Sequence, residues 1–178
     1  MKLVSPSVEY KDSYIKLVQD FSQSDDQLVP FTLNEDYSDF SALVAKLNGY
    51  ALGHNIPEGF VAHQSFWLID ENGDVVAISN LRLALTDNLK KIGGHIGYGV
   101  KPSERRKGHA TTLLSKTLVE AKNHGIREAL ITVEKSNAAS INVIKKNGGV
   151  FYSEGPVEDI DGIFQRYWID IDKHPHQS

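Results

Sequence analysis

The sequence predicts a mixed α/β domain, and three patterns in the chain point to this class. Short runs rich in β-branched and aromatic residues alternate with amphipathic stretches in which apolar residues recur every third or fourth position. One pair of β-rich runs flanks "ENGD" at 71–74, a hairpin signal because Asn-Gly readily adopts the positive φ angles of a tight turn. A strand, a helix and another strand then follow in succession, which implies a right-handed parallel crossover.

The elements are predicted in the order β-α-α-β-β-β-α-β-α-β-β. "KLVS" is the first strand, and "SYIKLVQDF" is a helix with one apolar face. The polar segment 22–38 has no sustained period, so we expect a loop or a broken helical turn there. The second helix occupies 40–53, where apolar residues again form a stripe.

The second half of the chain supplies the remaining strands and helices. The third predicted helix begins at Gly108 and ends at Gly125, which suits a left-handed cap. The other elements, in order around it, are the two strands of the "ENGD" hairpin, "GGHIGYGV", "EALITVE", the helix "SNAASINVIKKNGG", and the strands "GVFYSEG" and "GIFQRYWIDI", joined by the acidic turn "PVEDIDG".

Composition and charge limit the class of protein. The chain has 178 residues, of which 40% are apolar, so we expect one domain over 1–172 and a flexible tail at 173–178. A net charge of −4 argues against a nucleic-acid partner. The chain has no cysteine, no signal-peptide pattern and no membrane span, so we expect a cytoplasmic protein without a membrane partner. The histidines form no ligand pattern, and we predict no metal.

The predicted fourth strand, "GGHIGYGV", has one face almost without side chains. Ile96, Tyr98 and Val100 alternate with His95 and two glycines, Gly97 and Gly99. A bare face leaves the backbone open to close approach. In one interpretation a ligand approaches this face of the strand. In the alternative, the segment is a loose or bulged edge strand.

The stretch "KPSERRKGHATTLL" at 101–114 crowds cations against the start of a helix. Arg105, Arg106 and Lys107 precede Gly108, although a helix N-terminus is already electropositive. A glycine-containing turn into a helix also presents free N–H groups, which is a common way to bind phosphate. Neither the Walker A pattern nor the dinucleotide fingerprint is present, which disfavours ATP and NAD.

The pattern Arg/Gln-x-x-Gly-x-Gly/Ala does fit, at Arg105, Gly108 and Ala110. With "IGYGVKPSERRKGHATTLL" and "SNAASINVIKKNGG" in order, the chain resembles the GNAT superfamily of acyl-CoA-dependent N-acetyltransferases, closely over 94–149 and loosely elsewhere. The resemblance implies a central, twisted, mostly antiparallel sheet of about seven strands with about four helices. It also implies a parallel crossover from the fourth to the fifth strand and acetyl-CoA as cosubstrate.

The resemblance assigns a set of residues to the coenzyme. Amides over 106–110 would bind the pyrophosphate, the cations would add charge, and the backbone over 98–100 would bind the pantetheine arm. Asn137 is equally a helix N-cap, and the two roles are compatible. The full set is Tyr98, Gly99, Val100, Arg105, Arg106, Lys107, Gly108, His109, Ala110, Asn137 and Ser140.

The chain departs from the family pattern at the residue that many members use as a general acid. The tyrosine that many members use as an acid corresponds to Ile144, which holds no proton to donate. Ser140 is the nearest hydroxyl and the candidate acid. His95 is the candidate base, with a structural histidine as the alternative. Glu134, which shares a strand face with Thr132, is a weaker candidate that would act through water.

Further polar residues are candidates for the acceptor pocket. Asn80 and Arg82 lie on the third strand, and Arg166 and Tyr167 lie on the last, although strand arginines are often at the surface or salt-bridged. The acidic turn at 158–161 would attract a cationic amine or simply be solvated.

The leading hypothesis is acetyl transfer to a primary amine of a small molecule or of a protein or peptide. The amine would attack the thioester directly in a ternary complex. The alternatives are an acyl-CoA-binding regulatory module without catalysis and a loop for another nucleotide. The sequence leaves open the acceptor, the use of other acyl groups, and the oligomeric state, including a homodimer.

Overall fold

The computed structural model describes residues 1–24 and 27–173, which form seven strands and five α-helices. The fold class is the mixed α/β one that the sequence predicts. The strands are β1 (Lys2–Val4), β2 (His63–Ile69), β3 (Val75–Arg82), β4 (Ile96–Val100), β5 (Glu128–Glu134), β6 (Val150–Val157) and β7 (Ile160–Asp170). The helices are α1 (Lys11–Ser22), α2 (Phe40–Ala51), α3 (Asp87–Lys91), α4 (His109–Asn123) and α5 (Ala138–Lys146).

The strands form two antiparallel sheets rather than one continuous sheet. The first has the order β1-β2-β3-β4 and the second the order β5-β7-β6. The sheets meet where β4 and β5 begin, because the amide of His95 donates to the Leu130 carbonyl at 2.7 Å. The Leu130 amide donates in return to Nδ1 of His95 at 2.9 Å. A side chain thus closes the junction, and among the described residues no ladder continues between the two strands beyond it.

The helices cover both faces of the first sheet. Helices α1 and α2 bury one apolar face each against Trp67 and Ile78, as their spacing predicts. Helix α4 covers the opposite face, where the Ser79 and Thr117 hydroxyls bond at 2.7 Å. The predicted crossover helix therefore connects β4 to β5, and the first sheet lies between two apolar cores, one against α1 and α2 and the other against α4.

The turns follow the sequence signals with two differences. The predicted hairpin is present, with Gly73 at φ +87° and the Asp70 carboxylate accepting from the amides of Asn72 and Asp74. The last hairpin turns more tightly than predicted, since β6 ends at Val157 and β7 begins at Ile160. Helix α3 was not predicted, because five residues are too few to show a helical period.

Segment 22–38 contains the broken helical turn that the sequence allows. A short 3-10 turn spans Phe31–Asn34 between α1 and α2. Asp25 and Asp26 and the predicted tail from His174 onward lie outside the described residues. Within the described part of the chain, no helix has both the length and the apolarity to cross a membrane.

Candidate active site

The loop before α4 turns sharply so that the first amides of the helix have no helical partner. Arg106 and Gly108 both have left-handed backbones, at φ +64° and +83°. The first bond of the helix runs from the Thr112 amide to the Gly108 carbonyl at 3.2 Å, so the amides of 109–111 lack helical acceptors. A Cβ built on Gly108 meets nothing within 4 Å. The loop thus offers free donors beside open space, which fits a phosphate.

The cations of this loop are exposed, but they are not all free. The Lys107 ammonium lies 2.8 Å from the Glu104 carboxylate and holds the pKa of that carboxyl below its usual value. The Arg105 guanidinium lies 5.8 Å from the centre of the Phe21 ring. Glu104 therefore offsets part of the repulsion between the loop cations and the electropositive start of α4. Because Lys107 is paired with Glu104, it is less available to a phosphate than predicted.

The side chain of His109 is buried, unlike the exposed cations that precede it. Its side chain is 6% exposed, and Nδ1 has no hydrogen-bond partner among the described residues. Nε2 lies 3.5 Å from the Glu104 carboxylate. Because the ring is buried against the loop, only the amide of His109 remains for the coenzyme.

The loop is fixed to α1 by one carboxylate. Asp20 accepts from the amide and the hydroxyl of Ser103 at 3.0 and 2.6 Å. The Ser103 hydroxyl, more than any other group, lowers the pKa of Asp20. The position of the phosphate loop is therefore coupled to the first helix.

One face of β4 carries a hydroxyl pair that reaches α5. The Tyr98 hydroxyl lies 2.6 Å from Oγ of Ser140 in the first turn of α5. Burial raises the pKa of Tyr98 to about 12, and the bond to Ser140 lowers it by less. The phenol is therefore protonated at neutral pH and directly connected to the serine that the sequence proposes as acid.

The bare face of β4 is covered by the chain's own loop. A Cβ on Gly99 would overlap the carbonyl oxygen of Val29, and one on Gly97 would lie 3.6 Å from Cβ of Pro30. The interpretation of a ligand lying on this face is therefore wrong at Gly99. β4 is an edge strand of the first sheet, as the alternative holds, but it is not loose, because its glycines permit close packing of the α1–α2 connection.

The structure gives His95 the structural role. Its Nδ1 already accepts the Leu130 amide, and burial, followed by the charge of Arg82, lowers the pKa of His95 to about 4. A group with that pKa is a weak base at neutral pH. We therefore keep His95 as the junction between the sheets and not as the base.

The remaining sequence candidates lie around the start of α5. Glu134 is exposed and accepts from the Ser136 hydroxyl at 2.8 Å. Asn137 caps α5 by accepting the Ser140 amide at 3.0 Å, which confirms the capping interpretation. Ile144, in the position of the family's tyrosine, is fully buried in the core. Ser140 is the one hydroxyl-bearing residue of α5 and stays the candidate acid.

A pocket lies on the opposite face of β3 and β4 from Tyr98. It has a volume of about 330 Å³ and contains Arg82, as the sequence suggested. The pocket is also lined by Phe31, Phe60 and His63, which no sequence motif marks. We refer to it as the Arg82 pocket.

Three other acceptor candidates do not line this pocket. Asn80 is fully buried and absent from its walls. Arg166 donates from Nε to the Lys91 carbonyl at 2.9 Å, and so fixes the connection before β4. Tyr167 lies in the second core, where its hydroxyl donates to Gln165. None of these three residues lines the Arg82 pocket, and their part in binding the acceptor stays a prediction.

Among the described residues, no group of three or more His, Asp and Glu side chains is placed to hold a metal ion. The absence of a metal in the protein stays a prediction. His174 and His176 lie outside the described residues.

Residues 12–149 match the acetyltransferase (GNAT) family, and the chain belongs to that family. It is accordingly an acyltransferase of a family that uses acetyl-CoA. No curated protein sequence matches the chain significantly.

Solved structures with the same fold include several acetyltransferases. A mutant of spermidine N-acetyltransferase SpeG from Vibrio cholerae superposes with a TM-score of 0.64 at 14% identity, covering 97% of this chain and 96% of that one. yncA from Salmonella typhimurium, with acetyl-CoA, has a TM-score of 0.61 at 16% identity and covers 97% and 95%. An N-acetyltransferase from Staphylococcus aureus Mu50 has a TM-score of 0.62 at 19% identity and covers 96% and 98%.

Proposed function

We propose that the protein transfers an acetyl group from acetyl-CoA to a primary amine of a small molecule or peptide. The amine attacks the thioester directly while both substrates are bound. The observation that carries this proposal is the loop at Gly108, where the first amides of α4 lack helical acceptors and lie beside open space.

The chain's own residues fit the coenzyme along a continuous path. Amides over 106–110, with Arg105 and Arg106, bind the pyrophosphate as an anion at a helix N-terminus. The second edge of β4 is unpaired beyond His95 among the described residues, so the backbone over 98–100 binds the pantetheine arm as a strand would. Ser140 and the side-chain amide of Asn137 would reach the coenzyme from the start of α5.

The transfer forms a C–N bond and breaks the C–S bond, so a proton must leave the amine and another must reach the thiolate. Ser140 donates its proton to the departing sulfur while Tyr98, 2.6 Å away, donates to Ser140, and the Tyr98 phenolate takes a proton from solvent once the thiol has left. Glu134 accepts the amine proton through water. A backbone amide of β4 donates to the oxygen on which charge develops.

Release of free thiol from acetyl-CoA, measured with a thiol reagent across a panel of amines, tests the proposal. We expect Ser140→Ala to lower kcat about 100-fold and Tyr98→Phe to lower it about tenfold, because a positioned acid contributes at least that much. Calorimetry should find the acetyl-CoA affinity of both variants within about threefold of the wild type, since neither change removes an amide of the loop.

Tyr152→Phe is the matched control, because Tyr152 is an exposed tyrosine on β6. Tight acetyl-CoA binding without thiol release from any amine would favour the regulatory module instead. An unchanged kcat in Tyr98→Phe would refute the relay while leaving the transfer itself standing.

A further inference from the structure

The Arg82 pocket contains a cation without an anionic partner. Nη1 of Arg82 donates to the carbonyls of Gly93 and Gly94 at 3.0 and 3.2 Å, and the guanidinium lies 5.6 Å from the centre of the Phe31 ring. Among residues 1–24 and 27–173, no carboxylate forms an ion pair with it. A partly buried charge of this kind is costly until an opposite charge reaches it.

A second polar group in the same pocket also lacks a partner. His63 is 1% exposed, and its Nδ1 donates to the Val61 carbonyl at 2.8 Å. Burial lowers the pKa of His63, so the ring is neutral and Nε2 carries a lone pair. This buried Nε2 has no partner in the described chain. The pocket therefore offers a cation and a hydrogen-bond acceptor.

The rest of the wall is apolar and aromatic. The Phe31 and Phe60 rings lie 5.3 Å apart, and Phe31 and His63 lie 5.2 Å apart. Val61, Leu89 and Ile92 complete the wall. A volume of about 330 Å³ is at the small end for ligand pockets and suits a single small molecule with an apolar part.

The pocket adjoins the place where the thioester would react. Nη1 of Arg82 lies 4.0 Å from the position that a Cβ on Gly97 would occupy. The Gly93 amide, on the pocket wall, donates to Oγ1 of Thr132 on β5 at 2.7 Å. A ligand whose anionic end contacts Arg82 can therefore extend its other end toward the gap between β4 and β5.

The charge of the surroundings disfavours a polycation. Glu35, on the far side of Phe60 and His63, already bonds Lys46 at 2.5 Å and the Tyr50 hydroxyl at 3.0 Å. A second ammonium group would thus find an occupied carboxylate, whereas a carboxylate would find a guanidinium that has no ion-pair partner in the described part of the chain.

We propose that the acceptor is a free α-amino acid with an apolar side chain, and that Arg82 binds its carboxylate. This inference rests on the proposed acetyl transfer and names its substrate class. Arg82 and a carboxylate can form two parallel hydrogen bonds, which fix orientation as well as adding affinity. His63 accepts a hydrogen bond from the ligand, and the amino group lies toward the thioester.

Three amines that differ only at the carboxylate test the proposal: L-phenylalanine, L-phenylalaninamide and phenethylamine. We expect kcat/KM for L-phenylalanine to exceed that for phenethylamine about tenfold or more. The reason is that phenethylamine has no carboxylate and leaves the Arg82 guanidinium without an anionic partner. Arg82→Gln should bring this ratio to about one by raising KM for the amino acid. Lys90→Gln is the control, since Lys90 is an exposed cation on the neighbouring α3, and its ratio should match the wild type.

The outcomes separate the substrate class from the activity. Equal or faster turnover of phenethylamine or spermidine would overturn the carboxylate role while supporting acetyl transfer, and the wild-type comparison decides this even if Arg82→Gln fails to fold. If no amine releases thiol, acetyl transfer fails. Calorimetry of the CoA-saturated protein then compares N-acetyl-L-phenylalanine with N-phenethylacetamide, and equal affinity would overturn the Arg82 assignment as well.

Discussion

Single polar side chains decide which chemistry this site supports. Tyr98 and Ser140 form a hydroxyl pair on the face proposed for the coenzyme, and Arg82 lies on the opposite face without an ion-pair partner in the described part of the chain. The sequence points to Ser140 and Arg82 as individual residues. It gives no sign that Tyr98 bonds Ser140, because the two are 42 positions apart and meet only when α5 packs beside β4.

His95 shows why a residue's role is harder to predict than its place. Its position on β4 beside two glycines suggests a base, whereas the folded chain uses both its amide and Nδ1 to join the sheets. A histidine at the junction of two strands uses its hydrogen-bonding groups to satisfy the backbone of the neighbouring strand. That use depends on Leu130, which no local pattern connects to His95.

The stability of the fold should fall as the pH decreases from about 6.5 to 4. Burial lowers the pKa of His95 to about 4, so the unfolded chain binds the proton first, and stability is present above pH 6.5 and lost toward pH 4. The loss attributable to His95 is at most about 3 kcal/mol. Urea unfolding at several pH values measures it.

His95→Asn is the informative variant, because an amide oxygen can still accept the Leu130 amide without titrating. The free energy of unfolding of this variant should change less than that of the wild type between pH 7 and 4. Identical pH profiles would contradict the assignment. The pKa of His63 is also lowered, but it is common to both proteins.

Helices long enough to show a repeated apolar face could be predicted from the sequence. A helix or turn of only a few residues could not. Helices α1, α2 and α4 have 12, 12 and 15 residues, enough for a repeated apolar face. Helix α3 has five, and the tight last turn depends on Asp159 at φ +61°, which the sequence does not mark. The glycines of β4 did predict a close approach, but not that the α1–α2 connection makes it.

Gly99→Ala should destabilise the protein by about 1–3 kcal/mol, because the added methyl overlaps the Val29 carbonyl and overpacking costs that much. Gly155→Ala is the matched control, since Gly155 is also in a strand and its Cβ would meet nothing within 4 Å. Urea unfolding should find the control within about 0.5 kcal/mol of the wild type. Equal stabilities of the two variants would mean that the connection does not cover β4.

At the scale of the whole molecule, the strands form two sheets, and the proposed donor and acceptor sites lie on opposite faces of β4. The donor side is largely contiguous in sequence, over 94–149, so a motif could identify it. The proposed acceptor site, the Arg82 pocket, gathers Phe31, Phe60, His63, Arg82 and Gly93, which are scattered in the sequence and belong to no motif. Only folding brings them together, and the acceptor therefore had to be inferred from the pocket. A homodimer, the single-domain bounds and the flexible tail stay predictions.

The central claim is that the loop before α4 holds the acyl donor, and the affinity for acetyl-CoA of a matched pair of variants tests it most directly. Gly108 and Gly125 lie at opposite ends of α4, with φ of +83° and +78° and no atom within 4 Å of an added Cβ. Glutamate at either position therefore meets similar backbone strain. Only at Gly108 would it occupy phosphate space and add a like charge.

Calorimetry should find that Gly108→Glu lowers the affinity for acetyl-CoA about tenfold or more, whereas Gly125→Glu stays within about twofold of the wild type. Unchanged affinity in Gly108→Glu, or an equal loss in both variants, would contradict the assignment of this loop to the coenzyme.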